Sequence, residues 1–273
     1  MDDNISNICV AEMSEKSRKI NTRFHPNHGE NIILYDDNTV AYRKASFANA
    51  LTFSEKPLQP GEIFLLEIEK HERGWSGHMR FGLTQIDLKT VDKNGLPQYA
   101  LPHLVEMGST WVFAITQSPN IYYSIDSGGL PHREKKLITD GVTVQTSRGS
   151  IPYTLLRPNT VGPSQNILPT ETGSRIGVMY VPQPGTDLAE MHFIINGEDQ
   201  GACGKDIPYK EKPIHAVVDV YGTTKQVRII QLYGVSTLQS ACRDAILQYT
   251  KRNAVNSLPL PQMLKKFLLY QSQ

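Results

Sequence analysis

Ser76 is the side chain that comes nearest to a nucleophile motif. Gly74-Trp75-Ser76-Gly77 opens like G-x-S-x-G, the strained elbow that exposes a catalytic serine. The second glycine arrives one residue early, and the surroundings read as strand rather than strand-turn-helix. Asp92-Lys93-Asn94-Gly95 starts like a calcium loop, but Leu96 stands where an oxygen ligand is needed, so a turn is the better reading. The eight histidines show no H-E-x-x-H or other metal spacing. No glycine loop is placed to cradle a phosphate. Cys9, Cys203 and Cys242 are three and far apart, with no C-x-x-C pair, so the ligand count excludes a zinc finger or a RING. The residues therefore predict a non-enzyme with no catalytic side chain, no metal and no cofactor.

The spacing that does carry chemistry lies near the C-terminus, and it is the chemistry of docking. Thr237-Leu238-Gln239-Ser240-Ala241-Cys242-Arg243-Asp244-Ala245-Ile246 has the form [S/T]-L-x-x-x-C-x-x-x-I. At about 100° per residue, positions four apart stay on one stripe of a helix. Ser236 or Thr237 can cap its start. Leu238 would then enter a partner's groove, Cys242 would allow close approach, and Ile246 would extend the stripe. Burying Leu238 alone is worth roughly 1.5–3 kcal/mol. Taken alone, the same stripe equally suits a helix that packs on its own domain. A second element follows: Leu258-Pro259-Leu260-Pro261 breaks the chain, and residues 262–270 read as a short helix with Leu264, Phe267 and Leu268 on its apolar face. Basic residues outnumber acids in this tail, which reads as a solvated face or as steering toward an acidic partner.

The rest of the chain must position a recognition surface. Its 273 residues, 39% hydrophobic and 20% charged with formal net charge +1, suit a globular protein and give no global argument for nucleic acid. Residues 1–21 are polar, lack aromatics and read as a disordered leader without the apolar core of a signal peptide. No apolar run is long enough for a membrane helix, and unpaired cysteines suit a reducing compartment, so the cytoplasm is expected.

Residues 22–234 have the texture of short strands between Gly, Pro, Asn and Asp. Strands are predicted at 31–34, 39–43, 63–68, 78–85, 111–116, 175–181, 191–195, 214–221 and 226–232. Met79, Phe81 and Leu83 alternate with Arg80, Gly82 and Thr84, and Asn196-Gly197 marks a hairpin turn. The pattern predicts a mainly β, two-sheet sandwich. Residues 119–172 read as an insertion, partly disordered, with a strand near 141–146. Trp75 and Trp111 are expected in the core, and Gly77 and Gly82 at bends or close strand approaches.

The C-terminal pair of elements resembles a SOCS box. In that family the first helix binds elongin C of the elongin B/C pair, and an L-P-x-P segment selects cullin-5 with its RING-box protein over cullin-2. The resemblance implies elongin C contacts at Leu238, Cys242 and Ile246, and cullin contacts at Leu258, Pro259, Leu260 and Pro261. Residues 235–273 would be the SOCS box, with its two parts at about 237–246 and 255–268.

The β region resembles the neuralized homology repeat of the Neuralized family. The likeness runs through Arg23-Phe24-His25-Pro26-Asn27-His28-Gly29, Gly74-Trp75-Ser76-Gly77-His78-Met79-Arg80-Phe81-Gly82-Leu83-Thr84 and Met191-His192-Phe193-Ile194-Ile195-Asn196-Gly197. The implied fold is a SPRY-like β-sandwich that recognises protein through loops at one end. His25, Asn27, His28 and Asn49 are the candidate substrate-binding residues. Longer Neuralized proteins carry their own RING, so this chain would recruit one through the cullin. The resemblance implies a substrate-recognition adaptor of a cullin ubiquitin ligase with an unidentified protein target. A freestanding protein- or glycan-binding sandwich is the alternative.

Overall fold

Two-residue periodicity fixes which side chains of this chain meet. On the strand His215–Asp219, Ala216 and Val218 face one hydrophobic cluster and Val217 faces another. Its near-continuous apolar run thus reflects burial on both faces. The computed structural model describes residues 22–91, 95–118, 134–159, 167–233, 246, 250 and 252–269. The chain divides into two units, one of residues 23–158 with 164–230 and one that includes 231–273.

The strands are β1 (Ile32–Tyr35), β2 (Val40–Arg43), β3 (Leu51–Phe53), β4 (Phe64–His71), β5 (Arg80–Thr84), β6 (Thr110–Ala114), β7 (Ile138–Thr139), β8 (Thr143–Thr146), β9 (Gly149–Pro152), β10 (Arg175–Pro182), β11 (Ala189–Ile195), β12 (Glu198–Ile207), β13 (His215–Asp219) and β14 (Thr224–Ile229). A seven-stranded sheet has the order β1-β2-β14-β4-β10-β11-β12, and a four-stranded sheet the order β3-β13-β5-β6. All of these pairings are antiparallel. Between the sheets lies the main core, with Phe64, Leu66 and Ile68 from β4 meeting Met79, Phe81 and Leu83 from the β5 region. Phe81 packs on Phe64 and Phe193 at centroid distances of 6.3 and 5.7 Å. The outer face of the smaller sheet carries the second cluster, where Leu51, Phe53, Val112 and Val217 are covered by Leu88, Leu96, Ala100 and Leu104.

At Gly82 of β5 the smaller sheet has no room for a side chain. A Cβ there would lie 1.9 Å from the Trp111 carbonyl oxygen across the β5–β6 ladder. The predicted Asn196-Gly197 turn is present: both residues have positive φ, 51° and 91°, and join β11 to β12.

Two strands of the sandwich escape the sequence pattern. β3 has three residues, all buried, too short to show alternation. β12 is polar and glycine-bearing, and register shifts interrupt its pairing with β11. Residues 134–159 hold a third sheet, β7-β8-β9, whose Val144 and Ile151 are buried. It is tied to the sandwich by polar anchors. Backbone N–H groups of Lys136 and Leu137 donate to Asp199 at 2.6 and 3.0 Å, and Arg148 pairs with Glu62 at 2.9 Å.

In the second unit, residues 252–257 form a short 3₁₀ turn and α1 (Gln262–Leu269) follows. Val255 and Leu268 are buried against each other, with Leu258 and Leu260 packed alongside. Among the described residues, no helix is long and apolar enough to cross a membrane.

Candidate recognition and docking sites

The four-stranded sheet presents a different surface at each of its loop ends. At one end, the residues before β3 and β5 and just after β13 bring aromatic rings together. Phe47 meets Trp75 at 4.9 Å and Tyr221 at 4.7 Å, both edge-to-face, and Tyr99 lies 6.2 Å from Phe47 and 6.0 Å from Tyr221. The Arg80 guanidinium sits 3.6 Å above the Tyr221 ring. Trp75 is 41% exposed, contrary to its expected place in the core. It lies in the loop between β4 and β5, off the sheet, where its Nε1 donates to Glu72 at 3.0 Å and its ring leans on Phe47. Trp111, on β6, is partly buried and packs against the main core.

Buried charge holds this end in place. Arg43, with 0% exposure, donates to the carbonyls of Gly222 at 2.7 Å, Thr224 at 3.2 Å and Ala45 at 3.0 Å, and pairs with Glu72 at 3.1 Å. Burial pulls its guanidinium below the usual arginine range. Gly222 has φ 61°, and a Cβ on it would lie 2.3 Å from the Gly77 carbonyl oxygen, so the two loops cross in direct backbone contact. The Thr223 N–H donates to that same carbonyl at 2.9 Å.

Asp219 lies beneath the rings. Its Oδ2 accepts from the Ala100 N–H at 2.9 Å and from Arg80 at 3.4 Å, while Oδ1 has no hydrogen-bond partner among the described residues. Burial pushes its carboxyl up to about 6. A folded value raised above the ordinary 3.8 means the native state holds the proton more tightly than the unfolded chain. The stability this contributes is complete below about pH 4 and disappears as pH rises through about 6, at most about 3 kcal/mol. Asp219→Asn should remove that dependence. Thermal midpoints of wild type and variant, compared from pH 4.5 to 7.5, are expected to diverge across this window; parallel curves would contradict the assignment.

At the opposite end is a cleft of about 850 Å³ lined by His25, Lys56, Gln85, Met107, Lys212 and His215. The His215 Nδ1–H donates to the Ser54 carbonyl at 2.8 Å, and burial lowers its imidazole. Gln85 donates to the Pro208 and Lys212 carbonyls at 2.9 and 3.0 Å.

The candidate substrate residues lie on two segments that hydrogen-bond to each other, with the N–H groups of His25, Gly29 and Asn31 donating to the carbonyls of Phe53, Leu51 and Asn49. His25 lines the cleft. The Asn27 side chain donates to the Leu88 and Val91 carbonyls at 3.1 and 2.6 Å and so holds the loop that covers the second cluster. His28 contacts the Gly29 carbonyl at 2.9 Å. Asn49 has φ 54°, and its N–H donates to the Gln98 carbonyl at 2.8 Å. Phe47, Tyr99 and Tyr221 were not singled out in the sequence, because isolated aromatics far apart in the chain carry no periodicity.

In the C-terminal unit, Leu238 and Cys242 lie outside the described residues. Ile246 is helical and 37% exposed. Leu258 and Leu260 are half-buried in the small cluster, while Pro259 and Pro261 are exposed. The buried side of α1 runs through Leu268; Met263 and Leu264 are 66% and 44% exposed. Among the described residues, no group of His, Cys, Asp and Glu could hold a metal.

These features define a mainly β sandwich of a seven-stranded and a four-stranded sheet, followed in the chain by a small unit with a 3₁₀ turn and one short helix. Comparison with known proteins gives the family. Residues 24–231 match the Neuralized model and residues 234–269 the SOCS box model. The chain is 40% identical over 270 residues to human Neuralized-like protein 2, covering 92% of each chain. It is 37% identical over 89 residues to mouse E3 ubiquitin-protein ligase NEURL3, covering 32% of this chain and 35% of that one. The crystal structure of the Drosophila melanogaster neuralized NHR1 domain matches with TM-score 0.53 at 21% identity, covering 77% of this chain and 98% of that one. The chain belongs to the Neuralized family, its sandwich is a neuralized homology repeat, and a SOCS box match follows it.

Proposed function

We propose that this chain is the substrate-recognition adaptor of a cytoplasmic ubiquitin ligase built on elongin B/C, cullin-5 and its RING-box protein. The observation that carries this reading is the order of matches: a Neuralized repeat over residues 24–231, then a SOCS box over residues 234–269. Mouse NEURL3, which shares the repeat, is named an E3 ubiquitin-protein ligase. The three scattered cysteines of these 273 residues are fewer than the ligand set of a RING, so the reading draws the RING from the cullin's partner.

The division of labour follows from the residues. Leu238, Cys242 and Ile246 form the stripe that enters elongin C. Leu258 and Leu260, anchored on Val255 and Leu268, hold the Pro259–Pro261 turn toward the cullin. The sandwich, over about residues 22–234, holds the target protein. No side chain of this chain reacts; its contribution is proximity, keeping target lysines beside a RING-bound ubiquitin-conjugating enzyme.

Size-exclusion chromatography of the purified chain with elongin B/C tests this. The account expects a stable ternary complex that is lost when residues 234–273 are removed. Separate elution of the full chain would leave a freestanding binding module.

A further inference from the structure

The adaptor reading does not say which surface takes the target or what the target looks like. We propose that Phe47, Trp75, Tyr99 and Tyr221 form the target-docking surface, and that its occupant is an acidic polypeptide segment carrying one large apolar anchor side chain. This rests on the adaptor reading and names the target class for it.

Three observations support the surface. Trp75 is the one exposed large aromatic side chain among the described residues, and it stands at a loop end rather than alone on a sheet face. Its neighbours are preset: Phe47 touches Trp75 and Tyr221 edge-to-face, so the rings lose little freedom when a partner arrives. The backbone beneath is locked by the Gly77–Gly222 crossing and by Arg43. Rigid Trp, Tyr and Arg side chains are the residue types that dominate binding energy at protein interfaces.

Charge identifies the occupant. The two carboxylates that reach the cluster are already engaged, Glu72 by Arg43 and Lys225 at 3.1 and 2.8 Å, and Asp219 by Arg80 at 3.4 Å. Lys44, three residues before Phe47, and Arg73, two before Trp75, are exposed and join no ion pair with the described residues. The loop segments that carry the rings thus hold two exposed basic residues outside any ion pair, against one exposed acidic residue, Glu30, beside Lys44 and Ala48, and this excess favours an acidic segment over a basic one.

The test is selection of random phage-displayed peptides of about a dozen residues on the full chain. The expected consensus is Asp- and Glu-rich around one aromatic or leucine residue, and its binding should weaken as salt rises. Trp75→Ala should lower the affinity of the selected peptides by about tenfold or more. The pair Lys44→Glu and Arg73→Glu, both exposed, should abolish acidic selection and favour Lys- and Arg-rich peptides. All variants are compared with wild type by circular dichroism and thermal midpoint. A consensus without acidic residues, or peptides indifferent to both Trp75→Ala and the charge reversal, would overturn the proposal. A Trp75-dependent dimer in sedimentation would overturn it by making a second copy the occupant. Elongin B/C co-elution, measured on the wild-type preparation, separates the two ideas: no acidic consensus from a wild-type chain that binds elongin B/C sinks this surface, while an acidic, Trp75-dependent consensus from a wild-type chain that leaves elongin B/C unbound sinks the adaptor reading and leaves the surface standing.

Discussion

Arg175→Ala should destabilise the β-sandwich by about 3–5 kcal/mol. Arg175 begins β10 directly opposite Glu67 of β4, and its Nε donates to Glu67 Oε2 at 3.0 Å. Both side chains are almost fully buried, with exposures of 3% and 6%. Its Nη1 also donates to the Leu155 carbonyl at 2.8 Å, so one guanidinium joins the central sheet to the turn that follows β9. Removing it takes away the guanidinium that faces the buried Glu67 carboxylate across the β4–β10 ladder. The double variant Glu67→Gln with Arg175→Met should recover much of the loss, because an apolar stem and a neutral amide no longer leave a buried charge. Urea unfolding of the full chain reads both effects. A midpoint unchanged by Arg175→Ala, or a double variant worse than the single, would show that the pair does not hold the sheet.

The second large effect is on binding. Leu238→Ala combined with Cys242→Ala should weaken the complex with elongin B/C by about a hundredfold or more, from roughly 3 kcal/mol of lost apolar contact. Neither residue belongs to the sandwich, so its thermal midpoint should stay within about a degree or two. The opposite pattern, with affinity retained and stability lost, is what a helix packed on its own domain would give. Titration calorimetry paired with thermal scans distinguishes them.

How much of this was legible in the sequence depended on which physical rule placed each residue. Phe81 and Leu83 announced themselves by alternation, since a strand with one face on the core repeats every two residues. Asn196-Gly197 announced itself by chemistry, since few residues accept positive φ in succession. β12 did not, because its bulged pairing with β11 breaks the repeat and its Gly and Asp residues mimic a loop. Trp75 was misplaced for a different reason: composition favours a buried tryptophan, and only the tertiary approach of Phe47 and Tyr221, 28 and 146 residues away in the chain, shows that it caps a loop end. Arg43 was equally opaque. A charged residue closing a strand reads as exposed until the Gly222 and Thr224 carbonyls are seen to surround it. The proline-bearing break at 258–261 and the helix α1 after it are local in sequence and so were legible, whereas the ring cluster of Phe47, Trp75, Tyr99 and Tyr221 is assembled from distant segments.

The central claim is that this chain links a recognition domain to a cullin, and reconstitution tests it most directly. Purified chain and elongin B/C are offered equal amounts of cullin-5 and cullin-2, each with its RING-box protein, and the assemblies are read by native mass spectrometry. The account predicts one complex containing the chain, elongin B, elongin C, cullin-5 and its RING-box protein, lost with Leu238→Ala plus Cys242→Ala. Elongin B/C left unbound by the chain, or a complex with cullin-2 in preference to cullin-5, would contradict it.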